Sequence, residues 1–555
     1  MFSRPFLFVQ LAVVLGVVSA VPSSTSGVPS LPTVKLDQAT VVGSTNGLVT
    51  SFMGIPFAEA PVGDLRLRLP KPVSGYNGTI NATQPATQCI QLIPPLRTDM
   101  PAEMLKDMET YVGISASSAP ASQSEDCLNI NVQIPVQATP ADNLPVIVLI
   151  FGGGFTEGST TQMPGDAVVA RSVQLGKPVI FVAMNYRLHA FGFLGGKEVK
   201  EEGVGNLGLH DQREGLRWVQ KHISAFGGDP TKVTIWGPSS GAISAALQMV
   251  TNGGDNEGLF RGAVMNAGSP IPTGDITEQQ QYYDQIVEHA GCSNATDTLE
   301  CLRTVPPQTV SAAAATLPNL FEYPGLATPW APRADGVFLT APPQHLVQAG
   351  QVAKIPFISG DALDEGTVFA TGSFNVSTEE QFRDYVHEFF FSHAPKELLT
   401  PIFELYPNDP AQGSPVGTGD ADQLAPMYKR MAAFQGDAIF QGPRRFFLDQ
   451  RSSEQPTWSF ISKRGSIPGL GYAHGSDFLP ALVSGNELTD YIVQFATHLD
   501  PNGASNKTIS WPKYDSDSRQ VLTLLDGDVP LKIETDDLRL LPMQGVTAIS
   551  LASPL

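Results

Sequence analysis

The run Val233-Thr234-Ile235-Trp236 leads straight into Gly237-Pro238-Ser239-Ser240-Gly241, and a helix-forming stretch follows. This is the strand, G-x-S-x-G and helix order of a nucleophile elbow. The chemistry it could do is nucleophilic. A serine hydroxyl lifted clear of the backbone by a sharp turn can attack a carbonyl carbon, and such a turn needs small residues at both ends. Ser239 is the only serine in that frame. With 52 glycines in the chain, one G-x-S-x-G is a cheap coincidence, so the pattern needs support elsewhere.

Support comes from upstream, where the apolar run 145–151 enters Gly152-Gly153-Gly154-Phe155. Successive glycines let backbone N–H groups approach a developing oxyanion, and Ser240 adds the amide that follows the nucleophile. The acid and the histidine of such a site should come later, in the order Ser, acid, His. Downstream, the run 355–359 enters Gly360-Asp361-Ala362-Leu363-Asp364-Glu365-Gly366, which offers three carboxylates that composition does not distinguish. His474 follows in the loop-like Gly471-Tyr472-Ala473-His474-Gly475, whereas His222, His289 and His387 lie in helical patterns.

These groups must be held by something rigid. Runs at 145–151, 178–184, 232–236 and 355–359 are apolar and β-branched and end in glycine or polar turns, with helix-like segments such as 211–223 and 240–250 between them. Strands alternating with helices predict an α/β fold with a mostly parallel central sheet covered on both faces, and reacting groups then collect where the strands end. No repeat, long low-complexity tract or charged tail marks a linker, so residues 21–555 read as a single domain. The hydrophobic fraction of 42% supplies a large core and excludes a mostly disordered chain.

Residues 1–20 carry an early cation at Arg4, a short apolar run and a Val-Ser-Ala end, the pattern of a cleaved secretory signal. Asn77, Asn81, Asn294, Asn375 and Asn506 each open an N-x-[ST] sequon, and the four cysteines, Cys89, Cys127, Cys292 and Cys301, are an even set without zinc-like spacing. A secreted, extracellular glycoprotein is expected. The formal charge of −20 speaks against nucleic acid and anionic membranes as partners. Between Cys89 and Cys127, Met104, Leu105, Met108, Tyr111 and Val112 share one helical face, opposite Glu103, Lys106, Asp107 and Glu109. That segment reads either as a docked surface helix or as a mobile cover.

Taken together, these stretches resemble the type-B carboxylesterase/lipase family, most closely its Candida rugosa-type fungal lipases. The resemblance runs from about Val34 to near the C-terminus. It is carried by Gly54-Ile55-Pro56-Phe57-Ala58, Ser124-Glu125-Asp126-Cys127-Leu128-Asn129, the GGGF at Gly152, Phe226-Gly227-Gly228-Asp229-Pro230, Asp364-Glu365-Gly366 and Ala473-His474-Gly475. It implies an α/β-hydrolase fold, Ser239 as nucleophile, Glu365 as acid, His474 as base, and Gly153, Gly154 and Ser240 as oxyanion donors. It also implies disulfides Cys89–Cys127 and Cys292–Cys301, the first closing a lid-like excursion over 89–127.

The implied activity is serine ester hydrolysis without metal or cofactor. Expected substrates are glycerides, sterol esters or other bulky lipophilic or aromatic acid esters, met in some cases at a lipid–water interface. A non-catalytic, cholinesterase-like adhesion protein is the alternative, and the intact Ser239, Glu365 and His474 count against it. One departure stands out: the family usually has Glu-Ser-Ala in the elbow, where this chain has Pro238-Ser239-Ser240. That removes a backbone donor and a carboxylate from beside the nucleophile.

Overall fold

The segments Leu144–Ile150 and Ile180–Met184 carry almost no polar residue, so neither of their faces suits water. Both become strands buried on both sides. Val146, Val148 and Ile150, with Ile180, Val182 and Met184, join one core, while Ile147, Leu149, Phe181 and Ala183 join a second core across the sheet. The period of two in a strand divides a continuous apolar run between two helical layers, as parallel sheets require.

The computed structural model describes residues 31–93, 102, 105, 106, 108 and 122–555. The signal-like residues 1–20, and Met104, Tyr111 and Val112 of the 89–127 excursion, lie outside them. Residues Pro32–Leu555 form one compact unit.

Its frame is an 11-stranded sheet. In chain order the strands are β1 (Ser44–Asn46), β2 (Val49–Pro56), β3 (Asn129–Pro135), β4 (Leu144–Ile150), β5 (Ile180–Met184), β6 (Gly228–Pro238), β7 (Gly262–Asn266), β8 (Phe357–Ala362), β9 (Thr457–Lys463), β10 (Gln520–Leu525) and β11 (Leu531–Thr535). The spatial order is β11-β10-β9-β8-β7-β6-β4-β5-β3-β2-β1. Strands β4 to β10 run parallel, and the strands at either edge are antiparallel. Helices α1 (Asp166–Gln174), α2 (Leu207–His222), α3 (Ser240–Val250) and α4 (Glu487–His498) pack on its faces. The mostly parallel, doubly covered sheet expected from the sequence is present.

Boundaries differ in instructive places. Strand β8 runs on through Asp361, because register with β9 continues to the Ala362–Ser462 pair, so Asp361 belongs to the strand and not to the turn after it. Helix α2 begins at Leu207, earlier than its apolar period suggests, with Leu207 and Leu209 packed into the core. Both disulfides, Cys89–Cys127 and Cys292–Cys301, are formed. Among the described residues no helix is long and apolar enough to cross a membrane.

Candidate active site

Ser239 sits immediately beyond β6 and immediately before α3, with φ 54° and ψ −127°. Such a backbone is strained for any residue with a Cβ, and it survives because its surroundings over-determine it. Ser239 N–H donates to Asn266 O at 2.8 Å, tying the turn to the end of β7, and Ser239 O accepts from Ile243 N–H at 3.0 Å. Both flanking glycines are dictated by contact. A methyl at Gly237 would lie 2.2 Å from Gly241 O, and one at Gly241 would lie 2.0 Å from Ile150 O. Pro238 is tolerated because it is the last residue of β6, where the missing donor costs little.

His474 lies in the loop that follows β9. Its Nε2 is 2.8 Å from Ser239 Oγ, and its Nδ1 is hydrogen-bonded to Glu365 Oε2. The other oxygen of Glu365 accepts from Ala362 N–H at 2.6 Å, which sets the carboxylate plane. Phe369 and Phe440 lie against the imidazole, with ring centroids 5.1 and 4.7 Å away. Phe440 is held there by a π-helical segment, Asp437–Gln441, and π-bulges of this kind recur at functional sites.

The three carboxylates that the sequence leaves equivalent are separated by the fold. Asp361 faces away along β8 and accepts from Arg444 Nε at 2.7 Å, both side chains being fully buried. Asp364 accepts from Val416 N–H at 2.8 Å and from Tyr472 N–H at 3.0 Å, fastening the loop that carries His474. Glu365 alone reaches the imidazole.

Electrostatics follow from enclosure. Burial pushes the His474 imidazole down to about 4, outweighing the upward pull of Asp477 and Asp361. Burial likewise raises Glu365 well above the usual carboxylate range, with Asp477 adding to the effect. Each group in the dry interior resists its charged form.

Gly153 and Gly154 have φ of 116° and 62°, and the turn they form is closed by Thr156 N–H and Glu157 N–H donating to Gly153 O at 3.0 and 3.1 Å. Among the described residues, the amides of Gly153, Gly154 and Ser240 donate to no backbone carbonyl outside regular structure. Gly153 and Gly154 border, with Ser239 and His474, a cavity of about 240 Å³ whose walls include Phe321, Phe369, Phe440 and Leu479. An apolar chamber with a nucleophile, a neutral base and spare amides suits acyl transfer.

Two neighbours escape sequence reasoning. Asp477 is buried one turn beyond His474, where Asn266 Nδ2 donates to it at 2.6 Å, and its other oxygen is unpartnered among the described residues. Glu157 lines the cavity itself. A carboxylate three residues after His474 and another directly behind the glycine turn were the available signals.

Comparison with known proteins gives the family. Residues 30–479 match the carboxylesterase family. Secreted lipase 1 of Botryotinia fuckeliana is 42% identical over 511 residues, covering 89% of this chain and 88% of that protein. A secreted triacylglycerol lipase of Gibberella zeae is 41% identical over 500 residues, covering 87% of this chain and 84% of its own length. The crystal structure of Aspergillus niger EstA superposes with a TM-score of 0.78 at 26% identity, covering 95% of this chain and 99% of that one. With this coverage, and with a sheet whose parallel strands end at a serine elbow, the chain belongs to the carboxylesterase family and is a carboxylic-ester hydrolase of the α/β-hydrolase fold.

Proposed function

We propose that Ser239, His474 and Glu365 are the nucleophile, base and acid of a secreted lipase-like enzyme, with Gly153, Gly154 and Ser240 as its oxyanion donors. The observation that carries this reading is the hydrogen-bonded chain from Ser239 Oγ through His474 to Glu365 at the wall of an apolar cavity. Ser239 Oγ attacks the ester carbonyl as His474 Nε2 takes its proton, and the tetrahedral oxyanion meets the three amides. His474 then returns the proton to the departing alcohol, leaving an acyl-enzyme. Water, activated by the same imidazole, frees the acid. Glu365 holds Nδ1–H and so keeps Nε2 open as the acceptor. Every step uses protein groups and water, without metal or organic cofactor.

The substrates we propose are lipophilic: glycerides, sterol esters or other esters of bulky lipophilic or aromatic acids. The apolar lining supports this, as do the lipases among the relatives. Export supports it too, through the signal-like residues 1–20, the secreted relatives and the exposure of all five sequon residues, Asn77, Asn81, Asn294, Asn375 and Asn506. We take residues 21–555 as one catalytic domain with glycans on those asparagines.

We also propose that the 89–127 excursion is a lid that responds to a lipid–water interface. Met108 is fully buried and packs with Val368, Leu470 and Ala473, the last being the neighbour of His474, while Lys106 on the opposite face is exposed. A face that is buried in water at a gain of about 25 cal/mol per Å² exchanges that burial for lipid at no such loss, so an interface shifts the population toward open. A panel of esters, from short soluble ones to emulsified triglycerides, measured below and above droplet formation, tests both substrate class and lid. Met104→Asp with Met108→Asp should weaken droplet hydrolysis at least tenfold more than hydrolysis of a soluble ester, because carboxylates resist transfer to lipid. Equal loss on both would make the segment a fixed structural helix.

The pH profile follows from the sign of the His474 shift. Because its folded value lies below the usual histidine value, the neutral, proton-accepting form persists as pH falls. The acid limb of kcat/KM should therefore have its midpoint below about 6.5, toward the folded value and not at the free imidazole. A midpoint at or above 6.5 would show that the imidazole of the free enzyme is not held below the usual histidine value.

A further inference from the structure

Glu157 is the only carboxylic acid among the described residues that line the catalytic cavity. It stands in the glycine turn, its amide donating to Gly153 O at 3.1 Å, and its Cγ packs so closely on that turn that a methyl at Gly153 would lie 3.1 Å from it. Among the described residues the carboxyl has neither a hydrogen bond nor an ion pair, whereas Asp361 and Asp364 each accept at least one hydrogen bond. Burial alone pushes it up to about 7, with no neighbouring charge contributing. Glu157 is half-buried at the cavity wall, and its carboxyl is left free to meet a group that enters.

We propose that Glu157 is a specificity-determining residue that accepts a hydrogen bond from a free hydroxyl on the alcohol part of the ester, so that the cavity favours partly esterified polyols such as monoacylglycerols over simple alkyl esters of the same acid. This rests on Ser239 as the nucleophile, since it places the ester carbonyl at the glycine turn beside Glu157. Within a few bonds of that carbonyl, a lipophilic acyl chain has no hydrogen-bond donor. The alcohol part of a partial glyceride does. A hydroxyl also suits a carboxyl poised between its two protonation states, because a carboxyl oxygen accepts in either, whereas an ammonium group needs the full charge.

The test compares kcat/KM for monobutyrylglycerol, methyl butyrate and butyrylcholine, all kept below the concentration at which droplets form. The parent enzyme should prefer monobutyrylglycerol to methyl butyrate. In Glu157→Leu that ratio should fall by about tenfold to a hundredfold, the range for losing a hydrogen bond to a charged or partly charged acceptor, with methyl butyrate changing little. Glu157→Gln should keep an intermediate ratio, because its amide oxygen still accepts. An unchanged ratio in Glu157→Leu, or a parallel fall on both esters, overturns the proposal in favour of a purely structural role in the turn. Selective loss of butyrylcholine turnover overturns it in favour of a cation site. Methyl butyrate hydrolysis that survives Ser239→Ala would instead overturn the catalytic reading itself, and the two failures are thereby told apart.

Discussion

Ser239→Ala should leave a protein that folds and is exported like the parent but hydrolyses a soluble p-nitrophenyl ester roughly 10⁵ to 10⁶ times more slowly. The size of the loss follows from what the hydroxyl does. Among the described residues it is the only group in hydrogen-bond contact with His474 Nε2, and in the proposed mechanism its oxygen is the one acylated. The fold should be indifferent. Alanine keeps the Cβ, so the positive φ of the elbow costs no more than before, and the backbone bonds to Asn266 and Ile243 do not involve the side chain. Thermal unfolding of the variant should match or slightly exceed that of the parent, since a strained catalytic group gives up stability for function. Substantial residual turnover by a correctly folded variant would remove Ser239 from the mechanism.

The second large effect separates the three carboxylates. Glu365→Gln should lower kcat by about 10⁴, the loss seen when the acid of another triad is made an amide. The structure supplies the reason. One oxygen of Glu365 accepts from Ala362 N–H, so a glutamine keeps its carbonyl there and turns its NH₂ toward His474. The imidazole then has to accept at Nδ1, which puts its proton on Nε2 and leaves nothing to receive the Ser239 proton.

Asp361→Asn and Asp364→Asn should behave differently from that, and from each other. Removing the Asp361 charge leaves the fully buried Arg444 with Asp536 as its remaining carboxylate, costing about 3 kcal/mol of stability, the low end for a broken buried pair, while kcat per folded molecule stays within about tenfold. Asp364→Asn sets an NH₂ against either Val416 N–H or Tyr472 N–H, costing about 1–3 kcal/mol and loosening the His474 loop. Urea unfolding and single-substrate kinetics on the three variants separate stability from chemistry. If Asp364→Asn, well folded, lost more activity than Glu365→Gln, the acid would be misassigned.

Legibility in the sequence tracked how local the physics is. The elbow was readable because its pattern lies within five residues: Gly237 is small because the backbone of Gly241 leaves no room, and the helix starts at once after Ser239, although what keeps Gly241 small is the distant backbone of Ile150. The parallel sheet was readable from apolar runs that no half-exposed strand tolerates, and both cysteine pairs from the family resemblance. The serine and the carboxylates were visible for the same reason, since each follows an apolar run that breaks off, whereas His474 was read from its loop-like setting and its place in the order.

What no local pattern contains is which side chains meet across long stretches of intervening chain. The sequence by itself determined the strands, the elbow and a short list of three carboxylates. Tertiary structure alone decided that β8 runs on far enough to turn Asp361 toward Arg444, that Asp364 binds an amide of a loop 108 residues later, and that Glu365 faces His474. It also decided that Glu157, which reads as an ordinary polar residue in a glycine-rich turn, stands without a described partner in the catalytic cavity. The physical reason is the same in each case. Propensity and period report how a residue treats its own backbone, whereas orientation at a site is set by sheet register and by which distant donors remain to be satisfied.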